Sequence, residues 1–141
     1  MSTLQIETLD PIKLPLVTRL YKAHYPSGKA KKDELTMVGY YHNQMAALVR
    51  FRRIEDHRLL TGMLVVPEYR QLGLGHQLMA YCQQHILTHG DYCFAYLHLE
   101  CFYTQHGFQT MNSEALPNSL KSLFERYRRT KSLVAMQYVE T

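Results

Sequence analysis

Apolar and polar positions change their spacing several times along this chain, and each change marks an element. Leu4-Gln5-Ile6-Glu7 alternates with period two, as a short first strand does. Over residues 14–24, Leu16, Val17, Leu20 and Tyr21 recur at helical spacing, and Tyr25-Pro26-Ser27-Gly28 closes that helix. Residues 29–33 read as a polar loop. Residues 35–41 and 45–52 then form a hairpin around the turn His42-Asn43. Glu55-Asp56-His57 makes the next turn, and the strongly apolar residues 59–66 predict a strand closed by Pro67.

In the second half the period lengthens again. Leu74, Leu78, Cys82 (or Tyr81) and Ile86 mark one face of a helix that should end near Gly90. Residues 92–99 are strand-like and apolar, and a short helical turn around Tyr103 leads to Gly107-Phe108. Pro117 starts a helix with Leu120, Leu123, Phe124 and Tyr127 on one face, and residues 133–139 give a closing strand. Strands come first as a meander and later alternate with helices. That order predicts a mixed α/β sheet with helices on both faces.

With 141 residues the chain is expected to form one domain, 1–141. Hydrophobic residues at 46% against 20% charged fit a globular protein rather than a disordered one. Apolar runs such as Met63-Leu64-Val65-Val66 have the length of a core strand, so no membrane association is expected. The start, Met1-Ser2-Thr3-Leu4-Gln5, lacks a basic segment followed by an apolar one; no signal peptide and a cytoplasmic location are expected. Cys82, Cys93 and Cys101 are odd in number and sit in apolar segments, which predicts buried, reduced thiols.

A formal charge of +4 with 8 histidines suits an anionic ligand, but it lacks the clustered basic face of a nucleic-acid binder. The runs Lys29, Lys31, Lys32 and Arg126, Arg128, Arg129 read as solvated charge. His85 and His89 are four apart without an H-E-x-x-H motif, so no metal site is expected.

One segment carries chemistry. Val65-Val66-Pro67-Glu68-Tyr69-Arg70-Gln71-Leu72-Gly73-Leu74-Gly75-His76 runs from strand through a short loop into a helix. Glycines at Gly73 and Gly75 let a bulky anion approach the backbone, because no Cβ stands in the way. Amides at a helix start point at such an anion, and Arg70 adds a positive charge. The dinucleotide fingerprint G-x-G-x-x-G and the Gly-Lys-Ser/Thr of a phosphate-binding loop are both absent. From these residues alone the segment is either a phosphate cradle or a tight strand-to-helix turn.

The segment resembles the signature of the GNAT superfamily of N-acetyltransferases, Gln/Arg-x-x-Gly-x-Gly/Ala after a strand ending Val-x-Pro. A second family element, an aromatic residue before Tyr-x-x-x-Gly-Phe, is matched by Phe102-Tyr103-Thr104-Gln105-His106-Gly107-Phe108. The resemblance spans roughly residues 35–140. It implies a central mixed, mostly antiparallel sheet of six to seven strands, with central strands splayed at a coenzyme A (CoA) site. It implies acetyl transfer from acetyl-CoA, as co-substrate and without a metal, to a primary amine of a small molecule or protein. The enzyme would be a monomer or homodimer; a catalytically silent CoA-binding sensor is the alternative.

By the same resemblance, the backbone of Met63, Leu64 and Val65 should meet the pantetheine and thioester. The amides of Gln71, Leu72, Gly73, Leu74, Gly75 and His76, with Arg70 beside them, should hold the pyrophosphate. Tyr103 matches the family tyrosine near the CoA sulfur, which returns a proton to the leaving thiolate. The stretch before Tyr103 is shorter than in most members and lacks their CoA-binding asparagine.

The amine must be neutral to attack, which calls for a base or a water relay. In the strand after the glycine helix, Tyr96, His98 and Glu100 share one face by period two, opposite Ala95, Leu97 and Leu99. A polar face on a central strand costs stability unless it is paired or lines a cavity. That nominates Glu100 first and His98 second; the alternative is a face turned to solvent or into a satisfied network. The tyrosines Tyr21, Tyr25, Tyr40 and Tyr41 hint at a pocket for a polar or cationic amine, with residues 24–33 and 112–117 as its expected walls.

Overall fold

The computed structural model describes residues 3–25, 31 and 33–140. Among these residues the strands are β1 (Gln5–Thr8), β2 (Leu35–Tyr41), β3 (Gln44–Ile54), β4 (His57–Val65), β5 (Asp91–Tyr96), β6 (Phe108–Thr110) and β7 (Leu133–Tyr138). The helices are α1 (Leu14–His24), α2 (Leu74–His85), α3 (Glu100–Thr104) and α4 (Asn118–Tyr127). They form a seven-stranded mixed sheet of order β1-β2-β3-β4-β5-β7-β6 with four helices, the architecture that the spacing and the resemblance predict.

Local chemistry explains the first half. His42 and Asn43 both take positive φ, 50° and 67°, so the two-residue turn has the twist a tight hairpin needs. It pairs β2 and β3 antiparallel from Tyr41↔Gln44 to Leu35↔Phe51. β1 adds to β2 antiparallel. The two-residue link Glu55-Asp56 sets β4 beside β3, a connection only antiparallel neighbours allow. β4 and β5 pair in parallel at Arg58↔Asp91, Leu59↔Tyr92 and Leu60↔Cys93, with α2 in the crossover. β7 pairs antiparallel with both β5 and β6.

The chain divides into two units, Met1–Arg52 with Thr61–Cys82, and Arg53–Leu60 with Gln83–Thr141. In the first, α1 lays Val17 and Tyr21 on Val38, Leu48 and Leu64. In the second, α4 lays Leu120, Leu123 and Phe124 on Leu59, Tyr92 and Ala135. The α4 contact is the apolar stripe read from the sequence; of the α1 stripe, Val17, Tyr21 and Leu20 face the core and Leu16 is exposed.

Four expectations change. The α2 helix stops at His85, five residues before Gly90, because Arg58 Nη2 donates to the Ile86 carbonyl at 2.8 Å and the Thr88 amide donates to Asp91 Oδ2 at 2.9 Å. β5 ends at Tyr96, and Leu97–Leu99 turns as a 3-10 helix instead of continuing the strand. Cys82 and Cys93 are buried as expected, but Cys101, on the short helix α3, is exposed. β6 is a further strand, three residues long. The helix stop at Pro26-Ser27-Gly28 and most of the polar loop 29–33 lie outside the described residues.

Candidate active site

The glycine loop belongs to the first unit. Val66 extends the ladder by one bond, its amide reaching Ala46 O at 2.8 Å, and Pro67–Tyr69 then makes one 3-10 turn. Pro67 suits that first position, where its missing N–H loses nothing. Gln71 and Gly73 both adopt the left-handed conformation, at φ 67° and 76°, and fold the backbone sharply back towards the helix start. The first bond of α2 runs from Gln77 N–H to Gly73 O at 3.1 Å. The amides of Leu74 and Gly75 precede that bond, at the helix end where an anion is stabilised.

Burial divides this segment cleanly. Leu74, Leu78, Met79 and Cys82 anchor the helix in the core, while Arg70, Gln71, Leu72, Gly73 and His76 face solvent. A Cβ built on Gly73 would meet no atom within 4 Å. The glycine therefore serves the backbone angle and leaves open space above the loop, which is the shape a phosphate needs. Arg70 Nε donates to Val65 O at 3.0 Å, so the guanidinium is tied to the end of β4 beside the loop. In β4 itself Leu64 is buried and Met63 and Val65 are half-buried. The loop thus combines a sharply turned backbone, an arginine tethered beside it and open space over Gly73 at a helix start.

The second unit carries Tyr103, Glu100 and His98. Because β5 ends at Tyr96, His98 and Glu100 do not share a strand face, and the alternation that nominated them does not exist. His98 sits in the 3-10 turn, exposed, its ring 5.8 Å from that of Tyr96. Glu100 opens α3, three residues before Tyr103, so the two are neighbours on one helix face. Thr110 Oγ1 donates a short hydrogen bond to Glu100 Oε2, which ties α3 to β6.

Tyr103 is buried, with the rings of Phe102 and Phe108 edge-on at 5.1 and 5.8 Å. Gly107 turns the chain out of this helix at φ 89°, and a Cβ there would lie 2.5 Å from Tyr138 Cε1. The buried His106 has its Nδ1 within hydrogen-bond distance of the Gln83 side-chain amide, 2.7 Å. Nothing local in the sequence marks His106 as buried, since its partner lies 23 residues away.

Tyr21 and the partly buried Tyr25 and Tyr40 belong to one apolar cluster with Val17, Val38, Leu48 and Leu64. Tyr21 is fully buried and donates to Gly62 O at 2.5 Å, with Tyr25 packed on it. Tyr40 takes a bond from Lys13 Nζ at 3.3 Å, and Tyr41 packs on Tyr69. Of the expected acceptor walls, residues 26–30 and 32 lie outside the described residues. Asn112 is occupied as a cap, its Oδ1 2.9 Å from the Glu114 amide. Among the described residues no group of three His, Cys, Asp or Glu could hold a metal ion, and no helix is long and apolar enough to cross a membrane.

The profile of the acetyltransferase (GNAT) domain family matches residues 32–110. No curated protein matches the sequence. Many solved structures share the fold. N-acetylglutamate synthase from Neisseria gonorrhoeae, complexed with CoA and N-acetyl-glutamate, superposes with a TM-score of 0.77 at 12% identity. The match covers 99% of this chain and 36% of the synthase, so the chain spans about a third of that protein. The ribosomal-protein-S18-alanine N-acetyltransferase of Escherichia coli matches with TM-score 0.66 and 14% identity over 99% of this chain and 96% of that one. Arabidopsis thaliana Naa50, in complex with a bisubstrate analogue, gives 0.65 and 12% over 98% and 99%.

Proposed function

Since the chain belongs to the GNAT acetyltransferase domain family, we propose that it transfers an acetyl group from acetyl-CoA to a primary amine of a small molecule or protein. The observation that carries this reading is the loop before α2, where Gln71 and Gly73 are left-handed, open space lies over Gly73 and Arg70 is tethered to the end of β4. Similar proteins support both acceptor classes: one is complexed with N-acetyl-glutamate, another is named for an alanine of a ribosomal protein.

Each residue then has a task. The amides of residues 71–76 and Arg70 hold the pyrophosphate, and the backbone of Met63, Leu64 and Val65 holds the pantetheine arm. Acetyl-CoA supplies the activated acyl carbon. A base, Glu100 with His98 as second candidate, takes a proton from the amine. Thr110 already orients the Glu100 carboxylate. As the new C–N bond forms and the C–S bond breaks, the Tyr103 hydroxyl gives its proton to the leaving sulfur.

Thiol release from acetyl-CoA across a panel of amino acids, polyamines and peptide N-termini tests the reading. Turnover on at least one amine is expected. Tyr103→Phe should lower kcat about 10²- to 10⁴-fold, the range for losing a general acid, with CoA affinity kept. CoA binding without turnover on any amine would favour the silent sensor. No CoA binding at all would sink both.

A further inference from the structure

Gly62 lies inside β4 and is the one residue of that strand with positive φ, 65°. A left-handed residue within a strand redirects everything after it. The next three residues are Met63, Leu64 and Val65. Whatever holds the Gly62 backbone in place therefore sets where those three point.

The holders are polar, buried and on the page. Tyr21 Oη donates to Gly62 O at 2.5 Å. The Arg50 guanidinium lies against the same residue: a Cβ on Gly62 would sit 2.6 Å from Arg50 Nε and 2.9 Å from both Arg50 Nη2 and Tyr21 Oη. Arg50 also stacks on the Tyr21 ring, 4.8 Å from its centroid. Its Nη1 pairs with Glu34 Oε1 at 3.0 Å, and that oxygen also accepts the Lys31 amide at 2.9 Å. The side chains of Arg50 and Glu34 are 6% and 4% exposed, and Tyr21 is fully buried.

Stability does not account for this cluster. Burying an ion pair costs desolvation that apolar side chains of equal volume avoid, so such pairs are often neutral or worse for stability. Here the pair sits beside an apolar core of Val17, Val38, Leu48 and Leu64, where apolar packing was available. What the cluster adds is direction: a planar guanidinium fixed by a carboxylate on one side and a ring on the other. Burial pushes the Tyr21 hydroxyl well above the ordinary phenol range, so it remains a donor at any physiological pH.

We propose that Glu34, Arg50 and Tyr21 are positioning residues that lock the left-handed turn at Gly62 and thereby set the grip of β4 on the pantetheine arm of an acyl-CoA. The identity of that ligand rests on the function proposed above; the lock itself rests on the geometry. All the residues involved, the glycine loop included, belong to the first unit.

The test separates pantetheine from pyrophosphate. Calorimetric affinities are measured for CoA and for adenosine 3′-phosphate 5′-diphosphate, which keeps the phosphates and lacks pantetheine. They are compared between wild type, Tyr21→Phe and Arg50→Lys, with Tm recorded for each. Both variants should bind CoA about five- to tenfold more weakly, the effect of one buried hydrogen bond. Binding of the fragment should change less than about twofold, a difference too small to reflect a lost bond. Equal weakening of both probes, or of neither, overturns the proposal. So does failure of both variants to fold, which would make the cluster a structural requirement. If wild type binds neither probe, the acyl-CoA reading itself has failed, and that outcome is distinct from a wild type that binds both while the variants show no selectivity.

Discussion

Gly73 and Gly107 both sit in the left-handed region, for different reasons, and substitution tells them apart. Nothing lies within 4 Å of a Cβ on Gly73, so Gly73→Ala meets only the backbone penalty, about 1–2 kcal/mol of stability. If the loop holds pyrophosphate, that same methyl enters the ligand's space, and CoA affinity should fall by more than about tenfold. On Gly107 the new Cβ would stand 2.5 Å from the ring of the buried Tyr138, so Gly107→Ala should cost about 3 kcal/mol, backbone penalty included. Chemical denaturation with CoA titration on each variant reads both effects, and a Gly73→Ala protein that binds CoA like wild type would remove the loop from the ligand site. The cysteines offer a second contrast. Burial pushes the Cys93 thiol well up, and Cys82 is enclosed, whereas Cys101 is exposed. In the native protein a thiol reagent at pH 8 should modify one cysteine quickly, Cys101, and the other two only after denaturant is added. Rapid labelling of two or three would contradict this burial pattern.

At the scale of elements, the connection from α2 to β5 depends on one clamp. Arg58 Nε and Nη2 grip Asp91 Oδ1 and Oδ2 at 2.8 and 2.7 Å, while Asp91 also accepts the Thr88 amide and Arg58 takes the Ile86 carbonyl. The Asp91 side chain is 3% exposed and that of Arg58 25%. Asp91→Ala would take the buried carboxylate from Arg58 and the acceptor from the Thr88 amide, so a loss of about 3 kcal/mol is expected in urea unfolding, with the slope unchanged. A loss below about 1 kcal/mol would mean that water replaces the carboxylate. The clamp also shows why the end of α2 was hidden in the sequence. No residue between His85 and Gly90 forbids helix; a partner near the start of β4, 28 positions from Ile86, ends it. What was legible had local causes. The bounds of α1, the His42-Asn43 hairpin and the glycine loop follow from spacing, turn chemistry and motif, each contained within about a dozen residues. The end of β5 was not legible, since Tyr96-Leu97-His98-Leu99 alternates like a strand while turning as a 3-10 helix. That misreading placed His98 and Glu100 on a common face. Neither β6, three residues long, nor the Tyr21–Arg50–Glu34 cluster had any periodic signal to read.

For the molecule as a whole, the question is whether its two units melt as one. The chain crosses between them inside β3, β4 and α2: Arg52 to Arg53, Leu60 to Thr61 and Cys82 to Gln83 are all positions within a strand or helix. Unfolding one unit alone would cut two strands and a helix in mid-element, leaving broken ladders whose amides and carbonyls had lost their partners. A single cooperative transition is therefore expected, with calorimetric and van't Hoff enthalpies equal, as for one domain. Ligand linkage sharpens the experiment. A ligand at 100 times its Kd adds about 2.7 kcal/mol to stability, which for a chain of this length raises Tm by roughly 9 °C. The glycine loop lies wholly in the first unit, yet if the chain melts as one body acetyl-CoA must raise the whole transition by that amount. Two resolved transitions, of which only one responds to acetyl-CoA, would show that the units are separate folding bodies and that binding energy at the loop does not reach Tyr103. A single transition that moves with acetyl-CoA, and stays put with an equal concentration of acetate, would establish one domain whose stability and CoA binding are the same equilibrium.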